Sequence, residues 1–256
     1  MRELKIDSAK VELKLVKFIR NQTRSAGFSR VILGLSGGLD SSLAAYLCCR
    51  ALGNDNVFAS ILPYKTTPSV SLNYAKLLAR KYQVKTRFID ISEQIDIYFK
   101  DFPKANRIRR GNKMARERMS ILYDQSKELG AMVVGTSNKS ELLLGYGTIY
   151  GDMASAFNPL GGLYKTQLRQ LARDVGLPAQ IIKQIPSAGL WPGQSDEAEL
   201  GVTYARLDRL LYYLVDKGFS DKKLIGLGFK KSLIEKISRR IAANAFKRRL
   251  PTVAKT

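Results

Sequence analysis

The stretch Val31-Ile-Leu-Gly-Leu-Ser36-Gly37-Gly38-Leu39-Asp40-Ser41-Ser42 constrains this chain more than any other, because an apolar run breaks there into glycines, an acid and hydroxyls. Residues 30–35 are short, apolar and opened by a β-branched pair, the pattern of a buried parallel strand. A helix is expected over Ser42–Leu52, closed by Gly53. In the turn between them, Gly37 and Gly38 can take positive φ and curl backbone N–H groups around an anion. The helix start adds free N–H groups and the positive end of its dipole, so the expected guest is a phosphate. The spacing G-x-x-x-x-G-K of the common phosphate loop is absent, and so is the dinucleotide fingerprint. Asp40 sets a carboxylate beside the phosphate cradle, which calls for a cation such as Mg²⁺ between two negative groups.

The absence of histidine excludes a histidine general base, a Ser-His-Asp triad and most catalytic zinc sites. Catalysis must then rest on carboxylates, lysines, a metal and binding. The formal charge of +21, from 43 Lys and Arg against 22 Asp and Glu, points to anionic partners without choosing among nucleotides, nucleic acid and acidic surfaces. Cys48 and Cys49 are adjacent, match no metal or C-x-x-C spacing, and read as packing residues of a reducing compartment. No apolar run of about 18 residues occurs and the N-terminus is too polar for a signal peptide, so a cytoplasmic protein with no membrane partner is expected. With 256 residues and 45% hydrophobic content the chain can bury a full core. We read one domain: residues 1–29 as an N-terminal helix, 30–201 as the nucleotide-binding core and 202–256 as C-terminal helices.

Leu4, Val11, Leu15, Phe18 and Ile19 fall on one face of the first helix. Strands over 57–62, 85–89 and 131–135 alternate with helices over 71–82 and from the segment 101–118 to Leu129, with Gly130 past its end. This alternation predicts an α/β fold with a doubly wound parallel sheet and helices on both faces, its ligands bound outside the carboxyl ends of the strands. Lys113, Arg116 and Arg118, expected in the first turns of the long helix, oppose its dipole; a nearby anionic ligand or a solvated basic face would explain them. A fourth strand beside the first would bring Thr136 and Glu141 to Asp40, with Asp152 further along. Lys165 opens another helix, a poor place for a cation unless it meets phosphate. Residues 185–201, with Ser187 and the sole tryptophan, Trp191, read as a long lid or binding loop. Two helices follow, over 204–217 with Leu207, Leu210, Leu211 and Leu214, and over 233–245 with Ile234, Ile237 and Ile241. The second is opened by a Ser232-x-x-Glu235 capping box. Their apolar stripes are core by default, and they offer apolar surface beyond one core's need.

The motif S-G-G-L-D-S at residue 36 is similar to that of the ATP pyrophosphatases. It is followed in order by G-N-K-M-A-R-E-R-M, G-T-S-N-K-S-E-L-L-L-G-Y, Y-G-D-M, N-P-L-G-G-L-Y-K-T and P-S-A-G-L-W-P-G-Q-S-D-E-A-E-L-G, ending at residue 201. Together these resemble the ammonia-dependent NAD synthetases, with their adenine nucleotide alpha hydrolase-like fold. The resemblance implies a ligase that adenylates the nicotinate carboxylate of deamido-NAD with ATP and then displaces AMP with ammonia. It implies that Gly34, Leu35, Ser36, Gly37, Gly38, Leu39, Asp40 and Ser41 bind ATP with Thr136, Lys165 and Ser187. Asp40 and Glu141 would hold Mg²⁺, while Arg116, Phe246 and Lys247 would hold deamido-NAD. Asp152, catalytic with Lys165, would receive the ammonium. It also implies a homodimer with deamido-NAD near the subunit boundary. Ile149, Ala156 and Phe246 depart from the common pattern, where Lys, Asp and His are frequent. A tRNA-modifying relative should carry an RNA-binding region or reactive cysteines, and a non-catalytic relative should have lost Asp40, Glu141 or Lys165. The sequence suggests neither, no nucleic-acid partner and no glutaminase domain.

Overall fold

The computed structural model describes residues 2–191 and 193–254. In chain order the elements are α1 (Ser8–Ser25), β1 (Arg30–Gly34), α2 (Leu39–Leu52), β2 (Val57–Ile61), α3 (Ser69–Lys81), β3 (Lys85–Phe88), α4 (Ser92–Lys100), α5 (Arg107–Leu129) and β4 (Ala131–Val133). There follow α6 (Lys139–Leu144), α7 (Lys165–Asp174), α8 (Ala179–Ile182), α9 (Asp196–Leu200), α10 (Tyr204–Leu211), α11 (Asp221–Gly226) and α12 (Lys231–Ala243).

The sheet order is β3-β2-β1-β4 and every pairing is parallel, with Gly34 opposite Ser60 and Ile32 opposite Val133. Side chains alternate across β1. Val31 and Leu33 pack with Val16 and Ile19 of α1, Leu43 and Leu47 of α2 and Leu168 of α7. Ile32 faces the other way, onto Ile95 and Phe99 of α4 and Met114, Met119 and Leu122 of α5. Both faces of β1 are therefore covered, as a central parallel strand requires. All of β3 is exposed, and Lys85 and Arg87 put charge on the strand at the sheet's edge. A third cluster gathers Leu144, Tyr164, Leu207, Leu210, Leu211, Leu224, Ile234 and Ile237 under the C-terminal helices.

Several expectations need correction. Leu4 lies in a 3₁₀ turn before α1 and packs into the C-terminal cluster, because α1 starts only at Ser8, with Asp7 accepting from Lys10 N at 3.0 Å. α1 buries Val16, Ile19 and Thr23, and leaves Phe18 exposed. α2 starts at Leu39, which brings Asp40 and Ser41 into its first turn. α5 starts at Arg107, where Asn106 accepts from Arg109 N at 2.9 Å. Lys113 is thus in the second turn, Arg116 in the third and Arg118 in the fourth, so the cations that oppose the dipole are Arg107, Arg109 and Arg110. The 185–201 loop contains α9, and α10 passes into a π-helical turn, Tyr212–Asp216. The Ser232 box does not form: α12 begins at Lys231, two residues earlier than a Ser232 cap would place it, directly after the buried Phe229 and its N-cap Lys230. The leucine and isoleucine stripes are used within the chain's own third cluster, which removes the apolar surplus expected there.

Candidate active site

The carboxyl ends of β1 and β4 lie side by side, and the N-termini of α2, α6 and α7 meet just beyond them. In the turn after β1, Gly37 has φ +81°, and a Cβ there would stand 2.0 Å from the Ser71 carbonyl oxygen. Only glycine fits on both counts. Gly38, expected to share that freedom, has an ordinary φ of −77° and serves as the N-cap. The Ser41 hydroxyl donates to the Gly38 carbonyl at 3.2 Å, and Gly38 N donates to Ser36 Oγ at 3.3 Å, so the turn is stitched by its own serines. No side chain caps α2, whose first N–H groups are not consumed by the helix. That leaves an anion cradle.

Lys165, the first residue of α7, is 6% exposed. Its Nζ lies 2.8 Å from Asp40 Oδ1 and 3.4 Å from Glu141 Oε1. Asn138 donates from Nδ2 to Asp40 Oδ2 at 2.7 Å, and it caps α6 by accepting from Glu141 N at 3.0 Å. Glu141 returns the bond, accepting from Asn138 N at 3.3 Å, which completes a capping box. Buried Asp196 is near enough to feel the lysine's charge and accepts from the Tyr146 and Tyr204 hydroxyls, each at 3.1 Å. Burial pushes the Glu141 carboxyl up to about 8, Lys165 opposing this and Asp40 adding to it. Lost hydration disfavours the charge on Lys165, and Asp40 and Glu141 outweigh it, so the ammonium holds its proton more tightly than usual. Three carboxylates thus face one ammonium, and the cluster is short of positive charge.

Two of those carboxylates, Asp40 and Glu141, already turn an oxygen to one cation, and a hard divalent ion suits such oxygens. Among the described residues no group of three or more His, Cys, Asp or Glu side chains can hold a metal ion on its own. A magnesium ion therefore fits only with other oxygens, such as those of phosphate, completing its shell.

A second group of candidates surrounds residues 145–152. Asp152 accepts from Thr148 N at 2.8 Å, and although the residue is exposed overall its carboxyl loses hydration, which raises its pKa against that hydrogen bond. Lys247 Nζ donates to the Gly145 and Gly147 carbonyls at 2.9 and 3.0 Å, and Arg116 Nε donates to the Ile149 carbonyl at 3.2 Å. Ile149 thus engages Arg116 through its backbone alone. Ala156 N donates to Val133 O at 3.0 Å and extends the edge of β4. Phe246 is exposed. Thr136, half-buried, lies between β4 and α6. Ser187 is exposed and accepts from Gly189 N at 3.1 Å within its own turn, next to Pro186, whose carbonyl accepts from Asp196 N at 2.9 Å.

The NAD synthase family model matches residues 11–251. The chain belongs to the NAD synthase family. A relative from Trichlorobacter lovleyi named NH(3)-dependent NAD(+) synthetase is 48% identical, over 100% of this chain and 93% of its own length. Among solved structures, the NH3-dependent NAD synthetase of Campylobacter jejuni, in complex with nitrate, is 37% identical with a TM-score of 0.84, covering 98% of this chain and 100% of its own. The NMN synthetase of Francisella tularensis is 29% identical with a TM-score of 0.86, covering the same shares. For this NAD synthase family member, sequence reasoning missed Asn138, Asp196 and Tyr204. The Asn138-x-x-Glu141 box was readable, being local; the approach of Asp196 and Tyr204 to Lys165 depends on tertiary packing.

Proposed function

We propose that this chain condenses deamido-NAD with free ammonia to give NAD, splitting ATP to AMP and pyrophosphate. The joint grip of Asp40 and Glu141 on the Lys165 ammonium, beside the uncapped start of α2, carries the reading. A nicotinate carboxylate oxygen attacks the α-phosphorus, and the bond from that phosphorus to the pyrophosphate oxygen breaks. The product is a mixed anhydride whose leaving group is AMP, a far better one than oxide or hydroxide. Ammonia attacks the acyl carbon, AMP departs with the C–O electron pair, and the surplus proton on nitrogen goes to a base. The backbone from Gly34 to Ser41 cradles the departing pyrophosphate, Lys165 offsets its charge, and Thr136 and Ser187 contact the nucleotide. Arg116, Phe246 and Lys247 border the deamido-NAD. Asp152 takes the ammonium and its proton, since lost hydration makes its carboxylate more basic than a solvated one. Mg²⁺ would be held by Asp40 and Glu141, and when bound it supplies positive charge to the phosphate oxygens.

Incubation with ATP, Mg²⁺, deamido-NAD and ammonium should yield NAD and AMP in equal amounts; absence of both would overturn the reading. The carboxylate precursor of NMN is the control acceptor, and the 48% and 37% identities to NAD synthetases against 29% to the NMN synthetase favour deamido-NAD. Ammonium-free glutamine should not replace ammonium: burial pushes Cys49 up to about 11 and Cys48 higher, so neither thiol supplies a nucleophile. Asp152→Asn should still release pyrophosphate yet fail to convert the adenylate to NAD.

We further propose a homodimer and a reducing, cytoplasmic setting. Exposed Ile97, Phe102, Ile108 and Tyr123 on and between α4 and α5 support the first, and buried free Cys48 and Cys49 the second. Sedimentation as an active monomer would remove the dimer. No helix among the described residues is long and apolar enough to cross a membrane.

A further inference from the structure

Asp208, on α10, is 0% exposed and forms no ion pair among the described residues. Burial raises its pKa, and the hydrogen bonds it accepts resist that. Oδ1 accepts from Ser140 Oγ at 2.6 Å, and Oδ2 accepts from Thr166 N at 2.8 Å. Ser140 Oγ in turn accepts from Lys165 N at 3.1 Å. One carboxylate therefore takes up the first two N–H groups of α7, one directly and one through a hydroxyl. Ser140 immediately precedes Glu141, so the same carboxylate ties α6 to α7 at the residues that meet on the ammonium.

Burying an unpaired carboxylate is costly, and α7 could have been capped from its own preceding residue. That residue is Tyr164, whose hydroxyl instead donates to Asp216 Oδ2 at 3.1 Å. The cap comes from a separate helix 42 residues away, and its negative charge offsets the dipole end from which Lys165 projects.

We propose that Asp208 is a positioning residue: through the bracket Ser140–Asp208–Thr166 it sets the spacing of the Lys165 ammonium and the Glu141 carboxylate around the ATP phosphates. This rests on the function proposed above. Asp208→Asn keeps the shape but loses the charge and the acceptor for Ser140. Ser140→Ala leaves the Thr166 bond and cuts only the relay to Lys165 and α6. At a temperature where circular dichroism shows the variants fully folded, Asp208→Asn should lower kcat for pyrophosphate release about a hundredfold, as expected for a misplaced group. The KM for deamido-NAD, bound at the other loop, should hold. Ser140→Ala should lose about tenfold, as one buried hydrogen bond allows. Both should weaken MgATP binding, measured calorimetrically without deamido-NAD, and raise the Mg²⁺ concentration for half-maximal rate. A lower melting temperature with wild-type kcat and MgATP affinity in the folded variants would make Asp208 merely structural and overturn the proposal. Should Asp208→Asn not fold, Ser140→Ala decides by the same criteria. If the wild-type protein makes no NAD while both variants still lose MgATP affinity, the function is wrong and the positioning stands.

Discussion

The turn after β1 and the junction of α6, α7 and α10 both prepare a helix N-terminus for charge, by opposite means. The start of α2 is built from backbone, held by Gly37 against Ser71 and left without a side-chain cap, so its amides stay free for an anion. The start of α7 is closed by a buried carboxylate, so what it delivers is its first side chain, the Lys165 ammonium. An open helix end receives charge and a closed one can present it. The two ends face each other across Asp40, which belongs to the first and pairs with the second.

The largest expected effect tests whether they act together. Asp40→Asn or Glu141→Gln should lower pyrophosphate release by about a thousandfold, in line with losing a preorganised charge at the reacting phosphate. Melting curves should stay cooperative, and full turnover at limiting Mg²⁺ by either variant would separate the two regions. Gly37→Ala attacks the backbone-built end alone. With φ at +81° and a carbonyl oxygen at 2.0 Å, the substitution forces the turn off Ser71, costing about 2–3 kcal/mol of stability and most of the ATP affinity. A structure-neutral alanine there would mean that the turn moves away from α3 freely.

A pH series sharpens the contrast, because the turn is shaped by glycine and serine whereas the junction is held by buried charged groups. The folded carboxyl of Glu141 is raised from 4.5 to about 8, so the folded chain binds more protons than the unfolded one between those values. Its contribution is full below 4.5 and is lost as pH rises through about 8. The ligand-free melting temperature should fall across that window, and Glu141→Gln should flatten the slope while Gly37→Ala should not. The smallest effect concerns Ser232→Ala, which should stay within about 0.5 kcal/mol in urea titration because α12 takes no side-chain cap. A loss of 1 kcal/mol or more, the usual worth of a cap, would restore the box that the sequence suggests.

The backbone-built region was largely legible in the chain, since strand, glycines, acid and helix follow one another within residues 31–42. Parallel neighbours and the meeting of Asp40 with Glu141 followed from the βα alternation. The closed end was not legible: Ser140 and Asp208 are 68 residues apart, and Asp208 in its leucine-rich helix carries no local pattern that separates it from a surface acid. Even local patterns were decided by tertiary burial. Asn138-x-x-Glu141 and Ser232-x-x-Glu235 read alike, yet only the first forms a box: Asn138 is also held by Asp40, whereas α12 starts two residues ahead of where a Ser232 cap would place it, just after the buried Phe229.

Lys165 and Asp40 stand 125 residues apart in the chain, a distance that orders events during synthesis. β1, β2 and β3 are joined by short crossovers and can pair while later segments are still being made, whereas the lysine arrives only after β4 and α6. The sheet and its glycine turn therefore precede the buried ion pair. A nascent chain halted before α7 carries the anion cradle without the cation that completes it.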